Sequence, residues 1–242
     1  MQTCWVYEPN RPKKTIMNEQ EKINAALKAV SFVKNGQIVG LGTGSTAYFA
    51  IKEIGQMVRE GLQIRAVPTS EATRRLAEEW NIPLVDINDI DAIDVTIDGA
   101  DEFNNKLQLI KGGGGALLRE KIVATITRKQ VIIADASKEV EKLGAFTVPI
   151  EVIPFAINAV TQKLRLLTGT AVLRVKNGQT YLTDQGNYIL DVDFGLIDDP
   201  ATLAKELDHV TGIVEHGLFI DLADYIIVGK GDRIEVFRKL ID

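Results

Sequence analysis

Cysteine and histidine are almost absent from this chain of 242 residues. Cys4 is the only cysteine, so no internal disulfide can form. A reducing compartment follows, the cytoplasm or the plastid stroma of a processed precursor. His209 and His216 are the only histidines. A Ser-His-Asp triad or a histidine-rich metal site is therefore poorly supplied, and no spaced ligand set points to a metal. Both histidines and Cys4 read as structural or incidental. Long apolar runs are also missing, and none approaches the length of a membrane span. Glu8, Pro9 and Pro12 stand where a signal peptide needs its apolar stretch. The net charge of −5 argues against a nucleic-acid or anionic-membrane surface. Repeats of solenoid period and low-complexity segments are absent too. Any catalysis must rest on carboxylates, lysines, hydroxyls and backbone amides.

What is present is ordinary in bulk, with 45% hydrophobic and 25% charged residues. That composition suits one large globular domain or two modest ones. The chemistry is concentrated at residues 98–121. An apolar run ends in Asp98-Gly99-Ala100-Asp101-Glu102. A second run, Leu107 to Ile110, leads into Lys111 and the glycines Gly112 to Gly115. Consecutive glycines carry a high entropy cost and rarely serve packing. Their bare amides can wrap an anion, and a helix start beyond them adds a favourable dipole. Glu120 lies near the start of the helix-like stretch Ala116 to Thr127, among apolar helical neighbours. Burial there would raise its pKa toward that of a useful base. Arg119 and Lys121 flank it, and three adjacent charges on a helix cannot share one solvated face.

Taken in order, residues 1–17 read as a loose polar arm. Apolar spacing then predicts a helix from Asn18 to Val33, with Asn18 as cap and Glu21 completing a capping box. Gln37 to Leu41 reads as a buried strand. It feeds Gly42-Thr43-Gly44-Ser45-Thr46 and a helix from Ala47 to about Glu60. Strand, glycine-hydroxyl loop and helix form a phosphate-cradle arrangement. No lysine completes a Walker loop, and no acid lies at the spacing a dinucleotide site needs. A mononucleotide or sugar-phosphate cradle fits better. Further strands are expected at 64–67, 83–85, 93–97, 107–110 and 131–134, with a helix from Glu71 to Trp80. Five clusters each follow a strand: 42–46, 69–70, 98–101, 111–115 and 135–138. Ligands bind outside the carboxyl ends of strands in open parallel sheets, so the five converge on one rim.

Beyond Phe146 the order changes to strand, helix, two strands, helix and strand. The strands fall at 148–153, 171–175, 188–192 and 213–218, the helices at 155–167 and 200–209. The middle strands pair across a turn at Asn177-Gly178 or at Asp184-Gln185-Gly186. Tyr225 to Val228 then returns to the main sheet. The expected fold is α/β, a doubly wound, mainly parallel Rossmann-like sheet with a smaller βαββαβ ferredoxin-like domain. The large domain spans 1–146 and is completed by 220–242, and the small one spans 147–219.

GLGTGSTA at 41–48, DGADE at 98–102, KGGGGALLREK at 111–121 and ADASK at 134–138 resemble the motifs of type A ribose-5-phosphate isomerase. The resemblance extends over nearly the whole chain. It implies interconversion of ribose 5-phosphate and ribulose 5-phosphate without metal or organic cofactor, in a homodimer or homotetramer. It also implies roles. Glu120 matches the general base, Asp98 and Asp101 the acids that handle hydroxyl protons, and Lys111 a cation beside the enediolate. Of the two acids, Asp98 is favoured by its place at the strand end. Thr43, Gly44, Ser45 and Thr46 match the substrate loop. Gly99, Ala100, Gly112, Gly113 and Gly114 bring backbone to the substrate. Lys138 and, more weakly, Lys22 match phosphate partners. Two other readings remain open: a sugar-phosphate-binding regulatory domain without catalysis, and an acyl-CoA transferase-like enzyme on a related fold.

Overall fold

The computed structural model describes residues 13–239, so Cys4 and residues 1–12 of the expected arm lie outside the described residues. Helix α1 (Lys13–Val30) starts earlier than its apolar spacing implies, and Asn18 sits inside it rather than capping it. Glu21 forms no capping box. Its carboxylate accepts hydrogen bonds from Gly231 N (2.8 Å) and Ala136 N (3.3 Å), tying the helix to two loops of the sheet.

The strand–helix alternation then follows the apolar pattern. β1 (Ile38–Leu41), α2 (Ser45–Arg59), β2 (Arg65–Pro68), α3 (Glu71–Glu79) and β3 (Val95–Gly99) come first. Residues 83–85 do not form a strand; Leu84 makes only a single bridge, to Ala66. Two short strands follow, β4 (Glu102–Phe103) and β5 (Leu109–Ile110), then α4 (Leu117–Thr125) and β6 (Gln130–Asp135). The next segment contains β7 (Val148–Val152), α5 (Ile157–Leu166), β8 (Thr170–Leu173), β9 (Val175–Lys176) and β10 (Gln179–Thr180). It continues through β11 (Tyr188–Asp193), α6 (Pro200–Asp208), β12 (Ile213–His216) and β13 (Leu218–Phe219). The described chain closes with β14 (Tyr225–Lys230) and β15 (Arg233–Arg238).

The main sheet has the order β15-β14-β6-β3-β1-β2, parallel except for the outer β15. Every residue of β6 is buried, as a strand covered on both faces requires. Its side chains alternate. Val131 and Ile133 join Ala25, Ala29, Ile51 and Ile54 of the first two helices on one face. Ile132 and Ala134 meet Phe103, Leu109 and Phe219 on the other.

Residues 107–110 do not enter this main sheet, contrary to the sequence-based expectation. β5 belongs to a separate three-stranded sheet, β13-β5-β4, which covers the second face. An apolar run of this length carries no information about which sheet it joins.

The antiparallel sheet β12-β7-β11-β8 has the strand order of a ferredoxin-like split βαβ unit. Asn177 and Gly178 have φ of 54° and 76° and turn the small hairpin β9–β10. That hairpin is inserted between β8 and β11. The run 213–218 is broken at Gly217, where β12 ends and β13 crosses to β5. Gly217 N donates to Pro149 O (2.7 Å), and its carbonyl accepts from Lys111 N (2.9 Å). A Cβ at Gly217 would sit 2.3 Å from the Lys111 carbonyl oxygen, so only glycine permits this crossing. The junction fixes the backbone of Lys111.

Candidate active site

Val95 and Ile97 anchor β3 in the core, and Asp98 follows with 0% exposure. Asp98 Oδ1 accepts from Thr43 N (3.1 Å) and Gly99 N (2.7 Å). A Cβ at Gly42 would lie 2.2 Å from that same oxygen, so glycine is needed where the β1 loop crosses Asp98. Asp98 Oδ2 lies 2.9 Å from Lys111 Nζ. Lys111 is 2% exposed, donates to Gly99 O (2.5 Å) and stands 3.5 Å from Glu120 Oε2.

Glu120 occupies the first turn of α4 and is 4% exposed. Burial pushes its pKa up to about 8; Lys111 opposes the rise, and Asp98 and Asp101 add to it. Burial alone would pull the Lys111 pKa down. Asp98 and Glu120 outweigh it and hold the ammonium above its ordinary value. The result is a weakly acidic carboxyl beside a fixed cation, an arrangement suited to proton transfer next to a developing oxyanion.

The neighbours of Glu120 turn elsewhere, as a step of about 100° per residue requires. Arg119 bonds Glu71 (2.7 Å), and Lys121 bonds Glu215 (2.5 Å) and the His216 carbonyl (2.7 Å). His216 is buried against Asp208 through Nε2 (3.0 Å), and His209 Nδ1 meets Lys205 O at 2.6 Å.

Lys111 and Glu120 form part of the lining of a polar cleft. Thr43, Gly44, Ser45 and Thr46 make one wall. Gly99, Ala100, Asp101, Gly112 and Gly114 make another, and Lys22 and Lys138 stand at the edge. Two of the sequence-derived residues are absent from this lining. Gly113 is one; its amide instead holds Asp101 Oδ2 at 2.7 Å. Asp98 is the other, enclosed behind Lys111. Asp98, the acid expected to move the hydroxyl proton, is fully buried, whereas Asp101 lines the cleft. A strand end buried on both faces hides its last side chain, whereas the following loop opens into the cleft.

One end of the cleft is the start of α2. Gly44 occupies the cap position, and Lys22 Nζ donates to Ser45 Oγ (2.9 Å). Lys22 also lies 4.0 Å from Asp135, whose carboxylate caps the 3₁₀ turn Ala136–Lys138 that carries Lys138. Helix amides, a hydroxyl and two ammonium groups suit a phosphate.

Thr43 lines the cleft and is also anchored behind it. Its Oγ1 lies 2.8–3.1 Å from the hydroxyls of Thr69, Ser70 and Thr73, so it braces the loop from behind. The cluster at 69–70 thus supports the cleft without lining it. Sequence reasoning missed Thr73, Arg174 and Tyr181. Arg174 donates to the carbonyls of Gly112 (2.9 Å) and Gly113 (3.2 Å), and Tyr181 Oη to that of Gly114 (3.3 Å). Their only signal was a cation and a phenol near a predicted turn.

Fold and cleft together describe an α/β protein whose polar cleft joins a buried carboxyl–ammonium pair to a helix start suited to a phosphate. The particular family follows from comparison. Residues 65–233 match the model of ribose 5-phosphate isomerase A (phosphoriboisomerase A), and the chain belongs to that family. It is 48% identical over 221 residues to ribose-5-phosphate isomerase A of Streptococcus gordonii, covering 91% of this chain and 98% of that one. The Sphingopyxis alaskensis protein of the same name is 48% identical over 219 residues, covering 90% and 96%. Among solved structures, ribose 5-phosphate isomerase A of Methanocaldococcus jannaschii superimposes with TM-score 0.88 at 41% identity, over 92% of this chain and all of that one. A D-ribose-5-phosphate isomerase in complex with phospho-erythronic acid superimposes with TM-score 0.89 at 39% identity, over 91% and 99%.

Proposed function

We propose that this chain interconverts ribose 5-phosphate and ribulose 5-phosphate through a cis-enediolate, with Glu120 as the base. The observation that carries the reading is the buried Glu120–Lys111–Asp98 cluster under a phosphate-sized polar cleft. The helix start at Ser45, with Lys22 and Lys138, holds the phosphate. Glu120 takes the proton from C2 and returns it to C1. Lys111 and the Gly114 amide meet the charge that develops on oxygen. Asp101, which faces the cleft, moves the hydroxyl proton between the two oxygens. Asp98 keeps Lys111 charged and in place. The phosphorylated sugar acid bound by the related isomerase carries an anion at each end, as the enediolate would, and supports a ligand of this class.

The catalytic unit in this reading is 1–146 with 220–242, and 147–219 forms the smaller domain. Neither a metal nor an organic cofactor takes part. Self-association as a homodimer or homotetramer in the cytoplasm belongs to the same proposal. Exposed Phe155, Leu166 and Val172 supply apolar surface for it. No helix among the described residues is long and apolar enough to cross a membrane.

The direct test is incubation with ribose 5-phosphate in exhaustively chelated buffer. Ketose should form at an undiminished rate. Activity that vanishes on chelation and returns with a divalent metal would overturn the metal-free route, and no ketose under either condition would overturn the isomerase reading.

A further inference from the structure

The glycine loop closes one turn of its own, Gly115 N donating to Gly112 O (2.9 Å), and is otherwise held from outside. Three consecutive carbonyls, those of Gly112, Gly113 and Gly114, accept hydrogen bonds from Arg174 and Tyr181 of the small sheet's β8–β11 connection. Arg174 is itself fixed. Its guanidinium forms a two-pronged pair with Asp191 of β11, with Nε to Oδ2 at 2.9 Å and the second prong to Oδ1. Its backbone N donates to Ile189 O (2.8 Å), and its carbonyl accepts from Tyr181 N (2.9 Å). The far end of the connection is docked on the large sheet's side, where Asp184 Oδ2 accepts from Glu71 N (2.9 Å).

A peptide plane carries its C=O and N–H on opposite sides. Carbonyls drawn toward Arg174 therefore turn the next amides the other way. The plane between Gly112 and Gly113 shows this: Arg174 takes the carbonyl, and the Gly113 amide reaches Asp101 at 2.7 Å. The plane between Gly113 and Gly114 is held by the same guanidinium, and Gly114 lies on the cleft wall. A cation on a carbonyl also polarises its amide and strengthens the N–H as a donor.

We propose that Arg174, braced by Asp191, is a positioning residue for the isomerisation. It orients the 112–114 peptides so that one amide holds Asp101 and the next faces the enediolate oxygen. The proposal rests on the reading of the cleft as the isomerase site. It goes further by giving the small domain a part in turnover rather than in binding, because the phosphate end of the cleft is built entirely without it.

The test compares wild type with Arg174→Met, Arg174→Lys and Asp191→Asn, recording thermal unfolding, kcat, KM and the affinity for phospho-erythronic acid. Arg174→Met should lower kcat about tenfold or more and weaken phospho-erythronic acid by a similar factor, while KM stays within about threefold. Millimolar guanidinium should restore part of the lost kcat. Arg174→Lys should recover little, since a point charge cannot bond two carbonyls and a carboxylate together. Should Arg174→Met fail to fold, Asp191→Asn provides the same reading, with the same kcat-selective loss. A folded Arg174→Met or Asp191→Asn with native kcat would overturn the proposal. So would a loss confined to KM, or one that follows the unfolding temperature and resists guanidinium. A wild-type protein without isomerase activity would instead overturn the assignment of the cleft.

Discussion

Glu120 and Lys111 face each other 3.5 Å apart beneath the cleft, each almost wholly enclosed by protein. Neither would be stable there alone. A buried ammonium without carboxylates would tend to lose its proton, and a lone buried carboxylate would tend to keep one. Asp98, 2.9 Å from Lys111 on its other side, resolves the conflict. Lys111 stays cationic, and Glu120 is left with a proton affinity close to neutrality, the range in which a base can both take and return a proton.

Glu120→Gln preserves shape and hydrogen-bonding capacity but removes the basic oxygen. The variant should bind phospho-erythronic acid with near-native affinity and lose isomerisation by ~10²–10⁴-fold. Exchange of the substrate C2 proton with deuterated solvent should stop as well, read by NMR. Native-rate exchange would assign the base elsewhere, with Asp101 the first alternative.

The raised Glu120 pKa makes two pH predictions. As the base must be ionised, kcat/KM should climb with pH through a limb near 8. Lys111→Met removes an interaction that lowers this pKa, so any residual activity should show the limb displaced upward. Stability runs in the opposite direction. Between the ordinary value of 4.5 and about 8, the folded state binds a proton that the unfolded chain has released. Stability from this group is complete below the lower value and is lost as pH rises through the upper one. Chemical denaturation across this range should show a flatter pH dependence for Glu120→Gln than for wild type. Equal slopes would mean that Glu120 titrates normally.

The two aspartates should separate by phenotype. Asp98→Asn leaves the buried Lys111 short of its nearest countercharge, and breaking a buried pair costs about 3–5 kcal/mol. Its unfolding midpoint should fall sharply. Asp101 lines the cleft, and an asparagine there can still accept the Gly113 amide. Asp101→Asn should keep a near-native midpoint while kcat drops by about 10²-fold. The reverse pattern in unfolding and kinetic assays would restore Asp98 as the acid that meets the substrate.

In the proposed reading Lys138 and Lys22, both on the cleft, contribute charge at the phosphate end, away from the carbons that react. Replacing either by alanine should raise KM more than it lowers kcat, and Lys138→Ala should also weaken inorganic phosphate as an inhibitor. A fall in kcat with KM unchanged would place the altered lysine at the reacting end.

Much of this protein is written locally. Strand and helix order follows from apolar periods of two and about 3.6, which neighbouring residues set among themselves. The loop chemistry is local too. Gly42 to Thr46, Asp101, Lys111 and Glu120 are legible as a site because glycine, hydroxyl and charge stand together at strand ends and helix starts. The fan of Arg119, Glu120 and Lys121 is legible for the same reason, since helix geometry alone forbids a shared face. What the chain order could not decide is where a polar side chain ends once distant segments close over it. Asp98 and Asp101 are near neighbours in sequence, yet one is sealed behind Lys111 and the other is open, because Gly42 and Lys111 arrive from other parts of the chain. The 107–110 run carries no mark of the sheet it joins; the partner that selects it, β13, lies far along the chain. Arg174 reaches the glycine carbonyls from 62 residues along the chain, and nothing in its own surroundings in sequence announces the contact. Local periodicity determines elements, whereas burial and the pairing of charges depend on groups that only the folded chain brings within a few ångströms.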